Sequence, residues 1–275
     1  MTRIAILQMT SGIDPDENAA TLVQAVTEAA QGGAAMLFTP EMSGLLDRDR
    51  ERAGPHIVSE QENPVLAAVR SAAAAHGIWV ALGSLAILRE DRRWANRSFL
   101  LGPDGEVVAQ YDKIHMFDVE LASGETWRES AAYAPGETVV SAETPVGKLG
   151  LAICYDVRFP ALFEALGQLR CDVIAVPAAF TVPTGKAHWH LLQRARAVEA
   201  SAYIVAAAQV GEHADGRRTY GHSLVIDPWG EIALDMGGDA PGIGFAEIDP
   251  KRIKEVRQQL PSLANRRHLP TSNTI

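Results

Sequence analysis

The run Ser98-Phe99-Leu100-Leu101-Gly102-Pro103-Asp104-Gly105-Glu106-Val107 returns 125 positions later as Ser223-Leu224-Val225-Ile226-Asp227-Pro228-Trp229-Gly230-Glu231-Ile232. Each copy is an apolar stretch, a Pro-X-Gly turn and the start of a return strand, which is how a β-hairpin looks in sequence. The same offset of 125 lays Ile78-Trp79-Val80-Ala81 on Tyr203-Ile204-Val205-Ala206. α/β chains echo themselves by chance, but here the order strand-helix-strand-helix-strand-hairpin also occurs twice. An internal duplication accounts for both. Each half then makes a sheet covered by helices on one face only, and its bare face must be buried, most simply against the other sheet. The expected fold is an α/β sandwich with the layers α-β-β-α. No Pro/Ser-rich linker or charge block separates the halves, so residues 1–270 are expected to form a single domain, with 271–275 as a tail.

The elements follow from local pattern. Residues 3–9 and 34–39 are short apolar runs that read as buried strands, the second ended by Pro40-Glu41. Residues 16–31 read as a helix with Leu22, Ala25, Val26 and Ala29 on one face and Gly32-Gly33 as its stop. Asn63-Pro64 is a cap followed by proline at the first helical position, and that helix runs to His76-Gly77. Strands are expected at 78–82 and 84–88. In the second half, strands are expected at 148–154, 172–176 and 203–209, helices from Pro160 to about residue 170 and over 184–201, and a terminal helix over 250–259.

Charge and cysteine content remove several classes of function. Twenty-five Lys+Arg against 34 Asp+Glu give a formal net charge of -9, a poor match to a nucleic-acid backbone or an anionic membrane surface. Two cysteines, Cys154 and Cys171, cannot build a disulfide framework or a Cys-rich zinc site. The apolar start is too short for a signal peptide, and no run reaches the length of a membrane span. The expectation is a soluble, reduced, cytoplasmic protein that binds neither nucleic acid nor membrane.

Four places could carry chemistry. Cys154 ends an apolar strand and precedes a turn and a helix, a position that lifts a side chain to the rim of a sheet near backbone N–H groups. A free cysteine is more often an inert core residue, and the strand position alone does not decide. Cys171 has no comparable setting. Glu41 follows a buried strand at the carboxyl edge, where α/β proteins place their sites. Lys113 lies just past the first hairpin. Glu120, Glu125 and Glu129 follow in a polar stretch whose spacing selects none of them. His188 and His190 are two apart on a helix and do not share a face, so they do not ligate one metal together. There is no G-x-S-x-G, G-x-G-x-x-G or Walker pattern.

Together, Pro40-Glu41-Met42, Lys113-Ile114-His115-Met116-Phe117-Asp118 and Cys154-Tyr155-Asp156-Val157-Arg158-Phe159-Pro160 resemble the nitrilase superfamily of carbon–nitrogen hydrolases. The three pieces fall in the family's order, and the likeness runs to about His268. The second half looks most like the deaminated-glutathione amidase and omega-amidase branch, through Ala187-His188-Trp189, Arg194-Ala195-Arg196-Ala197, Ala206-Ala207-Ala208-Gln209 and Tyr220-Gly221-His222-Ser223. It departs from that branch at Ala161 and His190, where the family commonly has Glu.

The resemblance implies the α-β-β-α sandwich and a catalytic Glu-Lys-Cys set. That set is Glu41 as general base, Lys113 as oxyanion donor and Cys154 as nucleophile, with Glu129, matched by Arg128-Glu129-Ser130, as a second carboxylate. It implies a hydrolase of linear amides that works through a thioester, without cofactor or metal, on a small carboxylate-bearing amide. Tyr155, Arg158, Phe180 and Trp189 are the expected substrate-binding residues, and Arg217 and Arg218 are further candidates for a substrate carboxylate. A homodimer or larger homo-oligomer is implied. N-carbamoyl-amino-acid hydrolysis, nitrile hydrolysis, a Cys-His enzyme using His115 or His188, and a binding protein that has lost its activity remain as alternatives.

Overall fold

The computed structural model describes residues 1–120, 124 and 126–267; Glu125, His268 and the expected tail at 271–275 lie outside them. The first half contributes β1 (Thr2–Gln8), α1 (Pro15–Gln31), β2 (Met36–Phe38), α2 (Arg50–Ala53), α3 (Pro64–His76), β3 (Trp79–Leu88), β4 (Trp94–Leu101) and β5 (Val107–Asp112). A small ribbon of β6 (Asp118–Glu120) and β7 (Thr126–Arg128) follows. The second half contributes β8 (Ser141–Thr144), β9 (Gly147–Leu151), α4 (Pro160–Gln168), β10 (Val173–Ala175), α5 (Val182–Ala200) and β11 (Tyr203–Ala206). Then come β12 (Val210–Glu212), β13 (Arg218–Tyr220), β14 (Leu224–Ile226), β15 (Ile232–Asp235), β16 (Gly242–Ile248) and α6 (Pro250–Gln259).

Two six-stranded sheets result, in the orders β16-β1-β2-β3-β4-β5 and β15-β14-β11-β10-β9-β8. In each, three central parallel strands are flanked by antiparallel ones. Side chains alternate across a strand, and β1 shows what that does here. Ala5 and Leu7 pack with Leu22, Val26, Val69 and Ala73 of α1 and α3. Ile4 and Ile6 point the other way, into one cluster with Leu149, Val173 and Val205 of the second sheet. The expected α-β-β-α sandwich is therefore present, and the large shared core lies between the sheets.

The duplication holds with one correction. Val80 pairs with Leu101 and Ile204 with Ile226. The hairpins keep the offset of 125, but the structure equates Val80 with Ile204, an offset of 124. A one-residue slip turns every side chain to the opposite face, so the pairing decides the alignment. Where two strands were expected, over 78–82 and 84–88, the single β3 runs from Trp79 to Leu88 with an irregular register between Leu82 and Leu85. The cause is Gly83. A Cβ there would lie 2.0 Å from the Thr39 carbonyl oxygen and 2.4 Å from that of Pro40. Only glycine lets the chain leaving β2, which carries Glu41, press against β3.

Caps behave as the sequence implied. Asn63 accepts from the Leu66 N–H at 2.9 Å, and Gly77 closes α3 in the left-handed region at φ 63°. β16 was not expected from the sequence. It adds to the edge of the first sheet, Thr2 opposite Ile248, and joins the two ends of the described chain. Among the described residues no helix is long and apolar enough to cross a membrane.

Candidate active site

The chain leaves β9 at Leu151, and Cys154 opens a tight 3₁₀ turn, Cys154–Arg158. Its φ of 47° lies in the left-handed region, which costs a non-glycine residue about 1–3 kcal/mol. Surrounding bonds hold it there. The Cys154 N–H donates to the Pro177 carbonyl at 2.8 Å. Asp156, fully buried, accepts from the Ile153 N–H at 2.9 Å, the Tyr111 hydroxyl at 2.7 Å and the His115 N–H at 3.0 Å, with His115 Nδ1 at 2.7 Å. One carboxylate thus pins both the turn carrying Cys154 and the loop after Lys113.

Lys113 is 2% exposed, and its Nζ lies between two carboxylates. It reaches Glu41 Oε1 at 3.0 Å, Glu129 Oε1 at 3.1 Å and Glu129 Oε2 at 2.9 Å. The Cys154 thiol lies beside the Glu41 carboxylate, close enough that each shifts the other's pKa. The other Glu41 oxygen, Oε2, accepts the Ala179 N–H at 2.8 Å, and the Phe117 N–H donates to Glu129 Oε2 at 2.6 Å. Of the three glutamates left open by spacing, Glu129 reaches the lysine, while Glu120 pairs with Arg128 at the surface.

Each proton has a physical reason to sit where it does. Burial pushes the Glu41 carboxyl up, but the Lys113 ammonium, the neighbouring Cys154 thiol and hydrogen bonds from Lys113 and Asn96 outweigh it, and its pKa falls below the ordinary 4.5. Burial pushes Lys113 down, but the charges of Glu129 and Glu41 hold it well above 10.5. Burial, reinforced by the Glu41 charge, pushes the Cys154 thiol well above 9.0. The resting group is a thiol, a carboxylate and an ammonium. The thiol does not ionise by itself at neutral pH; it needs the adjacent base.

The group forms one wall of a cavity of about 920 Å³. Tyr155 and Phe180 line it, and so do Trp94, Trp127 and Tyr133, which the sequence did not single out. Two expected substrate-binding residues do not reach the cavity wall. Trp189 is fully buried; its ring packs on Phe180 at 4.9 Å and its Nε1 donates to the His222 carbonyl at 2.8 Å. Arg158 lies behind the wall, its guanidinium 5.3 Å from the Phe180 ring and 3.3 Å from His188 Nδ1. Arg217 does line the cavity, 4.9 Å over Trp127, and Asp215 tethers it at 2.9 Å; Arg218 does not line it. No histidine lines the cavity among the described residues: His115 stacks on Phe159 at 3.6 Å, and His188 is beside Arg158. Cys154 and Cys171 are both free thiols.

Asn96 is the residue that sequence reasoning missed. It is 1% exposed on β4, and its Nδ2 donates to Glu41 Oε1 at 2.9 Å and Glu129 Oε1 at 3.2 Å, so it braces both carboxylates around the lysine. An asparagine among apolar strand residues was the only signal. Asn96→Ala is expected to lower kcat about 10–100-fold with little change in KM, because it loosens the base without removing it. Steady-state kinetics check this, and a pure KM effect would contradict it.

Comparisons with known proteins point to one family. A family model described as carbon–nitrogen hydrolase matches residues 3–258. The chain is 39% identical over 267 residues to the deaminated glutathione amidase of Yersinia enterocolitica, covering 96% of this chain and 92% of that one. It is 38% identical over 269 residues to the deaminated glutathione amidase of Homo sapiens, covering 96% and 82%. Among solved structures, the C. elegans NitFhit protein superposes with a TM-score of 0.88 at 34% identity; the match covers 97% of this chain and only 65% of that longer one. An amidase from Nesterenkonia sp. AN1, in a form where acrylamide has added to the active-site cysteine, superposes at 0.79 with 26% identity, covering 95% and 98%.

Proposed function

The chain belongs to the carbon–nitrogen hydrolase family and is an amidase acting on carbon–nitrogen bonds other than peptide bonds, and on that premise we propose that Cys154, Glu41, Lys113 and Glu129 hydrolyse a small carboxylate-bearing amide through a thioester. The observation that carries this is the Lys113 ammonium between two buried carboxylates, with the Cys154 thiol beside one of them, on the wall of a cavity large enough for a small organic acid.

The steps follow from the resting protonation. Glu41 takes the thiol proton as Sγ bonds to the amide carbon, and the carbonyl π pair moves to oxygen. That oxyanion is met by the Lys113 ammonium and the Tyr155 N–H; one such donor is typically worth about 100–1000-fold in rate. Collapse breaks the C–N bond, and protonated Glu41 returns its proton to the nitrogen, so a neutral amine or ammonia leaves. Water then gives a proton to Glu41 and its oxygen to the thioester carbon. The acid departs, and the sulfur recovers its proton. Glu129 holds Lys113 in place.

Deaminated glutathione and α-ketoglutaramate are the proposed substrates. Both carry a carboxylate distant from the amide. Arg48, Arg50 and Arg217 are among the residues lining the cavity, and guanidinium suits a carboxylate. A panel of deaminated glutathione, α-ketoglutaramate, an N-carbamoyl amino acid and a simple nitrile tests the assignment. Release of the keto acid from either of the first two supports it. Hydrolysis of the carbamoyl compound or the nitrile alone would transfer the same residues to that chemistry, and silence on all four would contradict the amide reading.

The pKa directions predict the pH profile. The base must be charged, and its pKa lies below 4.5; the ammonium must be charged, and its pKa lies above 10.5. Activity is therefore lost only below the Glu41 value or above the Lys113 value. kcat/KM should be flat from about pH 5 to about pH 9. A Cys-His enzyme would instead show an acid limb near ~6.5, and finding one would contradict the assignment.

The protein is further proposed to be a cytoplasmic homodimer. Leu191 is 67% and Val198 42% exposed, seven residues apart on one face of α5, with Trp229 42% exposed on the neighbouring hairpin turn. Light scattering checks this: the parent should run as a dimer and Leu191→Asp as a monomer.

A further inference from the structure

Outside the cavity, three side chains from separate elements converge. His190 projects from α5, His222 from the connection between β13 and β14, and Asp235 ends β15. One donor atom of each lies within 4.8 Å of the other two. His190 Nε2 is 3.0 Å from Asp235 Oδ2, and His222 Nδ1 is 2.9 Å from Asp235 Oδ1. We infer that His190, His222 and Asp235 form a binding site for one divalent transition-metal ion of the zinc, cobalt or nickel kind. The inference does not depend on the proposed amide chemistry.

Geometry supports it first. A tetrahedral zinc ion with bonds of about 2.0–2.2 Å sets its ligand atoms about 3.4 Å apart. The two carboxylate–imidazole pairs need only open slightly. The two imidazole nitrogens, within 4.8 Å, need to close by at most about 1.4 Å to meet that spacing. Two of the three ligands are already fixed. His222 is held in the left-handed region at φ 53°, with its N–H on the Gly237 carbonyl at 2.7 Å and its carbonyl under Trp189 Nε1 at 2.8 Å. Its ring stacks on Tyr220 at 4.5 Å. Asp235 Oδ1 also accepts the Gly237 N–H at 2.9 Å. His190 is the ligand that adjusts.

Chemistry supports it second. Two imidazoles and one carboxylate suit zinc, cobalt or nickel; calcium and magnesium call for an all-oxygen set. The three side chains are 25–31% exposed, so an ion and a completing water can enter from solvent. Each imidazole nitrogen now directed at Asp235 becomes a ligand when the ring proton moves to its other nitrogen, or to solvent if the ring is charged. His188 takes no part; it lies by Arg158, as its place on another helix face requires. An ion here joins α5, whose first turns carry Thr184 of the cavity wall, to the Tyr220 segment packed against Gly185.

Zinc chloride titrated calorimetrically into metal-free Cys154→Ala protein tests the site; that background removes the cavity thiol as a competing ligand. One equivalent should bind, cobalt should give tetrahedral absorption bands, and Tm should rise by about 5 °C at a hundredfold excess over Kd. His190→Gln and Asp235→Asn should each weaken binding at least ~100-fold. Should either variant misfold, ring NMR of the unsubstituted histidines decides: zinc must shift His190 and His222 and spare His188. Absence of saturable binding by about 1 mM zinc, or one-equivalent binding unchanged in both variants, would overturn the site.

Discussion

Cys154→Ala is expected to abolish turnover, with kcat down at least ~10⁴-fold, while the protein stays folded. Its nearest alternatives cannot stand in. Thr181 and Thr184 line the same cavity, but their hydroxyls are bonded to each other at 2.7 Å, and it is the Cys154 thiol that shifts the Glu41 carboxyl. No histidine lines the cavity among the described residues to activate a water in its place. The structural cost is small, because one sulfur leaves and the Pro177 carbonyl keeps its backbone donor. Alanine also tolerates the left-handed φ about as poorly as cysteine does. Kinetics with a thermal melt check both halves of the prediction; retained activity would remove the nucleophile from the account.

Lys113→Met is expected to damage both rate and stability. The substitution keeps the length of the side chain and deletes the charge. The oxyanion loses one donor, about 100–1000-fold, and the base loses the cation that keeps it ionised. Two carboxylates then share a buried site without a cation, a loss of about 3–5 kcal/mol for a broken buried pair. The sign with pH follows. In the parent, Glu41 has a depressed folded pKa, so its contribution is present at neutral pH and is lost only as pH falls below 4.5. In the variant, burial without Lys113 raises the Glu41 pKa above its unfolded value. Its contribution is then fullest at low pH and falls as pH rises. The Tm deficit of Lys113→Met should therefore be larger at pH 8 than at pH 5. An equal deficit at both would mean that Lys113 contributes packing rather than charge.

Much of this protein is legible in the chain, and the reason is local. The α3 cap at Asn63-Pro64, its Gly77 stop and the hairpin turns depend on neighbours in sequence, and they appear where the sequence put them. The layer order follows from counting which faces need cover. What escaped depends on distant partners. β16 makes sense only beside β1, more than two hundred residues away, and its residues are partly exposed. β3 looked like two strands because the purpose of Gly83 is to admit the Pro40 backbone, which local pattern does not show. In the site, Glu41, Lys113 and Cys154 were legible through their ordered motifs. Asn96 was not, because its role exists only once two remote glutamates reach it. Trp189 and Arg158 show the same dependence: Thr184 and Tyr155, earlier on the same segments, line the cavity, while the Trp189 and Arg158 side chains pack on Phe180 behind it.

The most direct test of the central claim is intact-mass spectrometry of the protein quenched in acid during turnover of α-ketoglutaramate. The account predicts a population heavier by the acyl part of the substrate, mapped by digestion to Cys154, labile to hydroxylamine and absent from Cys154→Ala. Acyl mass on another residue, or turnover that survives without Cys154, would contradict it.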